Sequence, residues 1–237
     1  MDCTPFAFDF AGETVCALPE NALWWPRFSA LLVADLHLEK GSWFAKEGQL
    51  LPPYDSIDTV TRLTTLAKRM AAQSIWCLGD NFHDPAGPDR MDGAARAALA
   101  ALSQRHALHF ILGNHDFRRG AATLLPGFDQ RAEADIAGIM LRHEADMAST
   151  MPDISGHWHP KIRMRPAGGS GGRMISRPCF VKTPQHLILP AFGSYTGGLD
   201  VTDSAMRPLC DPAHTVAIVP LRDRLLHCKI AAPVRVA

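Results

Sequence analysis

The chain has 237 residues, of which 47% are apolar and 20% are charged, and its 24 basic residues balance its 24 acidic residues. This composition is typical of a globular protein with a full hydrophobic core. The balanced charge excludes a uniformly basic or acidic surface, so any attraction for nucleic acid or membranes has to be local. The length fits one α/β domain, and we expect residues 1–237 to form a single domain.

The cysteines and the N-terminal segment exclude several protein classes. Six cysteines are scattered along the chain without a C-x-x-C pair, which argues against a zinc ribbon or a redox motif. The first residues lack the basic and apolar regions of a signal peptide, and no apolar run approaches the roughly 18 residues that span a bilayer. We therefore expect a cytoplasmic protein.

The first third of the chain alternates between strand and helix patterns. The apolar run 30–34 predicts a buried strand that ends before Asp35. After two prolines, apolar residues recur every three or four positions, which predicts a helix with Asp55 or Ser56 as its N-cap. The run 74–78 predicts a second buried strand. A helix between two strands indicates a parallel βαβ unit.

The alternation continues with an alanine-rich helix over about 92–105 and a strand at 108–112. Shorter strands are predicted near 138–142 and at 153–155. A Gly-rich segment follows at 166–173, without the G-K-[ST] ending of a phosphate-binding loop. The last predicted strands are at 187–192, 215–219 and 225–231.

Residue types that bind metal ions follow five of the predicted strands. They are Asp35, His37, Asp80, Asn114, His143, His157 and His159. Because ligands gather beyond the carboxyl ends of parallel strands, we expect these residues to converge at one rim. Two carboxylates, one amide oxygen and four imidazoles suit Mn²⁺, Fe²⁺ or Zn²⁺ better than Ca²⁺, Mg²⁺ or structural zinc. Seven ligands are too many for one tetrahedral ion and fit two ions that share a carboxylate.

The order and spacing of these motifs resemble the calcineurin-like metallophosphoesterases. The matching motifs are D-x-H at 35–37, G-D at 79–80, G-N-H-D at 113–116, His143 and G-H-x-H at 156–159. Longer stretches resemble the bacterial DNA-ligase-associated branch of this superfamily. These stretches are D-L-H-L-E-K-G at 35–41, L-G-D-N-F-H-D at 78–84, G-H-W-H-P at 156–160 and F-G-S-Y-T-G-G-L at 192–199.

The resemblance implies a role for each matching residue. Asp35, His37 and His159 would hold a first metal ion. Asp80 would bridge to a second ion, whose ligands would be completed by Asn114, His143 and His157. His115 would face the scissile phosphate and give a proton to the departing oxygen. Asp116 would orient His115, as carboxylates often orient histidines near metal sites.

The resemblance also implies a fold and a reaction. The expected fold is an α/β, four-layer αββα sandwich of two mixed β-sheets flanked by helices. The expected reaction is hydrolysis of phosphodiesters by two divalent ions, Mn²⁺ or else Fe²⁺ or Zn²⁺. The substrate would be single-stranded DNA, cut by an endonuclease that works in DNA repair with a DNA ligase and other nucleases.

Basic residues near the motifs are candidates for contacting the substrate. Lys161, Arg163 and Arg165 alternate directly after the His157 and His159 motif, so on a strand they would share one face. Such a basic strip either follows a nucleic-acid backbone or is an ordinary solvated surface. Arg118 is a further candidate for contacting phosphate.

Several alternatives remain open at this level. His83 lies three residues beyond Asp80 and either reaches the site or is an ordinary loop histidine. The same metal centre also serves phosphodiesterases and phosphatases that act on small nucleotides or phosphoproteins. A scaffold without activity is the remaining alternative, and the complete set of expected ligands argues against it.

Overall fold

The computed structural model describes residues 6–116, 127–165 and 174–230. The first sheet has seven strands, which lie in chain order across the sheet. They are β1 (Ala7–Phe10), β2 (Glu13–Leu18), β3 (Ala22–Trp25), β4 (Ala30–Ala34), β5 (Ser74–Leu78), β6 (Ala107–Ile111) and β7 (Asp129–Arg131). Strands β1 to β4 pair antiparallel and β4 to β7 pair parallel, so the sheet is mixed.

The second sheet also has seven strands. Its strands are β8 (Ala134–Ile136), β9 (Ile139–Leu141), β10 (Asp153–Ser155), β13 (Phe180–Lys182), β14 (His186–Ile188), β15 (Val216–Pro220) and β16 (Leu225–Lys229). Strands β9, β10 and β14 run parallel, and the other pairs are antiparallel. A separate hairpin is formed by β11 (Lys161–Met164) and β12 (Ile175–Pro178).

Three apolar layers hold these elements together. Within the described residues, the α-helices are α1 (Lys40–Lys46), α2 (Asp55–Met70), α3 (Gly87–Arg90) and α4 (Gly93–Ser103). Side chains of α2 and α4 pack against one face of the first sheet, and the two sheets pack against each other. The outer face of the second sheet is covered within the described residues by the turns that carry Val201, Met206 and Leu209. The two mixed sheets and the α/β class are thus as expected.

The longer predicted elements are confirmed. Strands β4, β5 and β10 have the predicted bounds. The apolar residues of β4 and β5 are buried on both faces of the sheet, as is usual for parallel strands. The helices α2 and α4 and the parallel pairing of β4, β5 and β6 also agree with the prediction. No sequence pattern predicted β1, β2 or β3. The Gly-rich segment 166–173 lies outside the described residues.

None of the helices within the described ranges combines the length and the apolar character that crossing a bilayer requires.

The start of α2 differs from the prediction in a way that matters for the site. Its N-cap is Tyr54, which makes no capping hydrogen bond with its side chain. Asp55 accepts a hydrogen bond from the Gly41 N–H at 3.0 Å. Ser56 accepts one from the Glu39 N–H at 2.8 Å and donates to the Glu39 carboxylate at 2.8 Å. The two polar residues therefore fix the loop after β4 instead of capping the helix.

We predict that Ser56→Ala lowers the free energy of unfolding by about 1–3 kcal/mol, because it leaves a buried N–H and a buried carboxylate oxygen of Glu39 without their partner. Urea unfolding measures the change. Ser103→Ala is the matched control, since the Ser103 hydroxyl lies at the exposed end of α4 and donates only to a carbonyl of its own helix. The control should change stability by less than about 0.5 kcal/mol. Equal effects of the two changes would contradict this role of Ser56.

Candidate metal centre

The predicted ligands lie at the carboxyl ends of strands from both sheets. Asp35 follows β4, Asp80 follows β5 and Asn114 follows β6 in the first sheet, whereas His143 follows β9 and His157 follows β10 in the second. Parallel neighbours within each sheet bring their ends to the same edge. The site therefore lies where the parallel halves of the two sheets face each other.

Close backbone contacts join the two sheets at this edge. A Cβ atom on Gly79 would lie 2.0 Å from Nδ1 of His143, and one on Gly156 would lie 2.6 Å from Oδ2 of Asp35. Only glycine allows these approaches. The Gly79 position joins the end of β5 to the second sheet, and the Gly156 position joins the end of β10 to the first.

Two groups of ligand atoms result. Asp35, His37 and His159 form one group, and Asp80, His143 and His157 form the other. Within each group the possible ligand atoms lie within 4.8 Å of one another.

Asp80 lies between the two groups. Its Oδ2 is 3.9 Å from Nε2 of His37, and its Oδ1 is 3.5 Å from Nε2 of His143. Each oxygen of this carboxylate thus faces a different group, which is the arrangement that a shared ligand requires.

The remaining contacts within the groups are also short. Nε2 of His37 is 3.3 Å from Nε2 of His159, and Nδ1 of His157 is 3.0 Å from Nε2 of His143. The Asp35 carboxylate lies 3.5 Å from Nε2 of His159 and accepts the His157 N–H at 3.0 Å.

Asn114 belongs to the same edge, although its side chain is exposed. Its neighbour Gly113 packs so closely that a Cβ there would lie 2.4 Å from Oδ1 of Asp80, and the N–H of His115 donates to the same oxygen at 3.0 Å. The residues before and after Asn114 thus both contact Asp80, and they hold Asn114 close to this carboxylate.

The protonation of the histidines agrees with metal binding. Burial, together with the nearby His159 and Lys40, lowers the pKa of His37 to about 2. Burial also lowers the pKa of His157, which Glu144 opposes at 3.7 Å. The neutral imidazole is the form that binds a metal ion. Nδ1 of His37 and Nδ1 of His143 are buried and have no hydrogen-bond partner in the described part of the protein. The nitrogens of these two rings that face Asp80 are the Nε2 atoms, and together with the carboxylates of Asp35 and Asp80 this donor set fits a pair of divalent ions.

The backbone of the candidate ligands is strained. Five of the twelve non-glycine residues with positive φ among those described are predicted ligands, namely Asp35, His37, Asp80, His157 and His159. A left-handed conformation costs a non-glycine residue about 1–3 kcal/mol, and such strain is concentrated at functional sites. Five of the seven predicted ligands thus have this conformation, so part of the cost falls where the ligand side chains converge.

His115 lies beside Asp80 and His37 with one ring nitrogen free. Its Nδ1 is 2.7 Å from the His83 carbonyl oxygen, so Nδ1 carries a proton and donates it. Its Nε2 is 3.9 Å from Oδ2 of Asp80, and 46% of the side chain is exposed. Nε2 therefore faces the space in front of the candidate metal centre.

The structure gives Asp116 a different role from the one expected. Its buried carboxylate accepts hydrogen bonds from the Asn81 N–H and side-chain amide, the Phe82 N–H and the Gly113 N–H, at 2.7–3.1 Å. Burial raises the pKa of Asp116 to about 6, and these donors oppose the increase. The carboxylate joins the loop after β5 to the loop after β6, whereas His115 is oriented by the His83 carbonyl.

His83 is part of the site, although the sequence left its position open. Its ring stacks on His115 at 5.6 Å and meets His37 edge-on at 5.5 Å. The group His37, His83 and His115 has possible ligand atoms within 4.8 Å of one another. Burial lowers the pKa of His83 to about 4, with further contributions from Lys40 and His115. Its spacing from Asp80 was the only sequence signal.

Two members of the predicted basic strip, Lys161 and Arg163, lie two residues apart on β11, and their surroundings differ. Lys161 lines a cavity that His159 also lines, whereas Arg163 is 72% exposed and lies 3.6 Å from Asp200. Arg165 is exposed beyond the end of β11. Arg118 lies outside the described residues.

We predict that Asp116→Asn lowers the free energy of unfolding by about 2–4 kcal/mol at pH 7, because an amide supplies one acceptor oxygen for four donors and points its NH₂ at the others. Urea unfolding of the metal-loaded protein measures this. The control is Asp135→Asn, since exposed Asp135 accepts a single N–H from Gly138 and an amide oxygen replaces that acceptor. Normal stability of Asp116→Asn with slow turnover would instead support the expected role in orienting His115.

The comparisons with known proteins agree with this geometry. The family model for the calcineurin-like phosphoesterases matches residues 28–184, which is more than half of the chain. Among solved structures, the crystal structure of a Pseudomonas putida nuclease MPE has the same fold, with a TM-score of 0.69 and 24% sequence identity over 94% of this chain and 98% of that one. None of the curated proteins matches the sequence. The chain belongs to the calcineurin-like phosphoesterases.

Proposed function

We propose that this phosphoesterase is a Mn²⁺-dependent endonuclease that cuts single-stranded DNA and works in DNA repair beside a DNA ligase and other nucleases. The observation that carries the proposal is the position of Asp80. One of its oxygens faces His37, which follows a strand of the first sheet, and the other faces His143, which follows a strand of the second sheet. The motifs at 35–41 and 192–199 support the ligase-associated branch.

Each predicted ligand has a place in the proposed centre. Asp35, His37 and His159 hold one ion, and Asp80 bridges. Asn114, His143 and His157 hold the other. A pair of divalent ions supplies positive charge that neutralises the phosphoryl oxygens and lowers the pKa of a bound water. The nitrogen-rich donor set favours Mn²⁺, Fe²⁺ or Zn²⁺ over Mg²⁺.

The protein's own contribution to bond cleavage is a proton at Nε2 of His115. Since Nδ1 donates to the His83 carbonyl in either protonation state, the proton that can be transferred is the one on Nε2. We propose that Nε2 gives this proton to the alkoxide that leaves the phosphorus. Stacking on His83 holds the ring in this orientation.

The proposed nucleic-acid substrate is supported by a similar structure and by local charge. The similar structure from Pseudomonas putida is described as a nuclease. Lys161, a cationic residue, lines a cavity together with the proposed ligand His159. A phosphodiester next to the two ions would therefore meet further positive charge.

The proposal is tested by assaying the metal-free protein with each divalent ion on three substrates. These are a single-stranded DNA circle, bis(p-nitrophenyl) phosphate and p-nitrophenyl phosphate. We expect Mn²⁺ to restore cleavage of the circle and of the diester, and chelation to abolish it. Opening of the circle identifies an endonuclease, because an exonuclease needs an end. Hydrolysis of the monoester alone would refute the nuclease proposal.

We predict that His115→Ala lowers kcat on the diester by about 10²–10⁴-fold, the usual contribution of general acid–base catalysis, while two metal ions per chain remain bound. Mass spectrometry of the bound metal and steady-state kinetics measure the two quantities. His109→Ala is the control, because His109 binds Asp129 and stacks on Trp76 away from the site. Full turnover by a fully metal-loaded His115→Ala would contradict the proposed proton transfer.

A further inference from the structure

A cavity adjoins the candidate metal centre on the side of His159. It has a volume of about 130 Å³ and is lined by His159, Lys161, Arg62, Asn21 and the loop at 193–197. This volume accommodates several water molecules or a phosphate group. The residues that line it include two cationic side chains and no carboxylate. A group that leaves the metal centre past His159 therefore enters a positively charged pocket.

Arg62 is held in place for such a contact. Its Nε donates to Asp58 at 3.0 Å and its Nη2 donates to the Phe192 carbonyl at 2.8 Å. The guanidinium also lies 4.8 Å above the Phe192 ring. No partner of Nη1 is found among the described residues, so this end of the guanidinium is available to an anion.

A second cavity lies beside the first. It has a volume of about 320 Å³ and is lined by Arg177, Arg222 and apolar residues. Asn21 and Pro178 line both cavities, so the two are adjacent. No carboxylate is among the residues that line the second cavity. Four cationic side chains thus line the two cavities, in a chain whose overall charge is balanced.

An exposed aromatic side chain belongs to the loop whose residues Gly193, Thr196 and Gly197 line the first cavity. The chain has two tyrosines, Tyr54 and Tyr195, of which 66% and 43% are exposed. Tyr195 belongs to the loop that lines the cavity, and its hydroxyl donates to the Pro52 carbonyl at 3.2 Å. Tyr54 precedes Asp58 and Arg62 by four and eight residues, so the three share one side of α2.

We propose that a single strand of DNA lies along these two cavities, with phosphates at Lys161, Arg62, Arg177 and Arg222 and with a base on the ring of Tyr195. Proteins that bind single strands combine a cationic groove for the backbone with aromatic rings for the bases. Arg163 and Arg165 lie outside this path. The inference rests on the proposed function, since it assigns the surface that the DNA substrate follows to the metal centre.

The test measures binding of a fluorescent oligo-dT to the Mn²⁺-loaded His115→Ala protein, which is expected to bind without rapid cleavage. Anisotropy is recorded over a series of salt concentrations. We expect Lys161→Ala and Arg222→Ala each to weaken binding and to reduce the slope of log K against log[salt] by about 0.7, the value for one lost phosphate contact on a single strand. Arg163→Ala and Arg105→Ala remove the same charge elsewhere and should leave the slope unchanged.

Tyr195 provides an independent readout. Tyr195→Ala should weaken binding about tenfold without a change of slope, whereas Tyr195→Phe should bind like the unchanged protein, because stacking needs the ring and not the hydroxyl. The proposed path would be overturned if Arg163→Ala reduced the slope of log K against log[salt] and Lys161→Ala and Arg222→Ala did not. Equal weakening by Tyr195→Ala and Tyr195→Phe would overturn the stacking.

Hydrolysis of bis(p-nitrophenyl) phosphate by the unchanged protein separates the two proposals. If the protein hydrolyses the diester but fails to bind oligo-dT, the path is wrong and phosphodiesterase activity stands. If the salt slopes behave as expected but no phosphodiester is hydrolysed, the path stands and the catalytic proposal is wrong.

Discussion

The contact between Gly79 and the imidazole of His143 is the constraint on which the site depends. It is the place where the end of a first-sheet strand meets a histidine of the second sheet without an intervening side chain. Because Asp80 is the next residue, the same contact brings its carboxylate between histidines that are supplied by different sheets. The apolar layer between the sheets sets their separation, and it is filled by side chains such as Leu32 and Phe180 that are completely buried. The packing of the core therefore determines the distances between the candidate ligands.

The loops around this contact are fixed by buried polar groups and not by apolar packing. The Asp116 carboxylate joins two of the loops, and the hydroxyl of Ser56 fixes the loop that carries Asp35 and His37. A buried polar group costs free energy unless every hydrogen-bond partner is present, so these groups tolerate little change in the positions of the loops. The strain in the left-handed ligand residues is sustained by the same network. A rigid frame of this kind suits a reaction in which charges must be held at fixed positions.

The sequence predicted the parts of this arrangement that depend on local pattern. Runs such as 30–34 and 74–78 are buried on both faces, so they appear as unbroken apolar segments, and the ligand types that follow them stand out. The antiparallel strands β1 to β3 escaped prediction, since none of them forms a long apolar run in the sequence. The role of Asp116 also depends on distant partners, the N–H groups of Asn81 and Phe82, which no spacing reveals. The stacking of His83 on His115 and the contact of Arg163 with Asp200 likewise arise only in the folded chain.

The segment at 191–193 has a consequence for how the protein matures. His159 is the last predicted ligand in the chain, but the segment that supports Asp35 comes later. The Phe192 N–H donates to the Ala34 carbonyl and the Gly193 N–H to the Asp35 carbonyl, at 2.9 and 3.2 Å. A growing polypeptide that has just emerged from the ribosome past residue 159 holds every predicted ligand and still lacks the support beside Asp35. Since chains are made from the N-terminus onward, stable loading with metal is expected to wait until the segment at 191–193 has been synthesised.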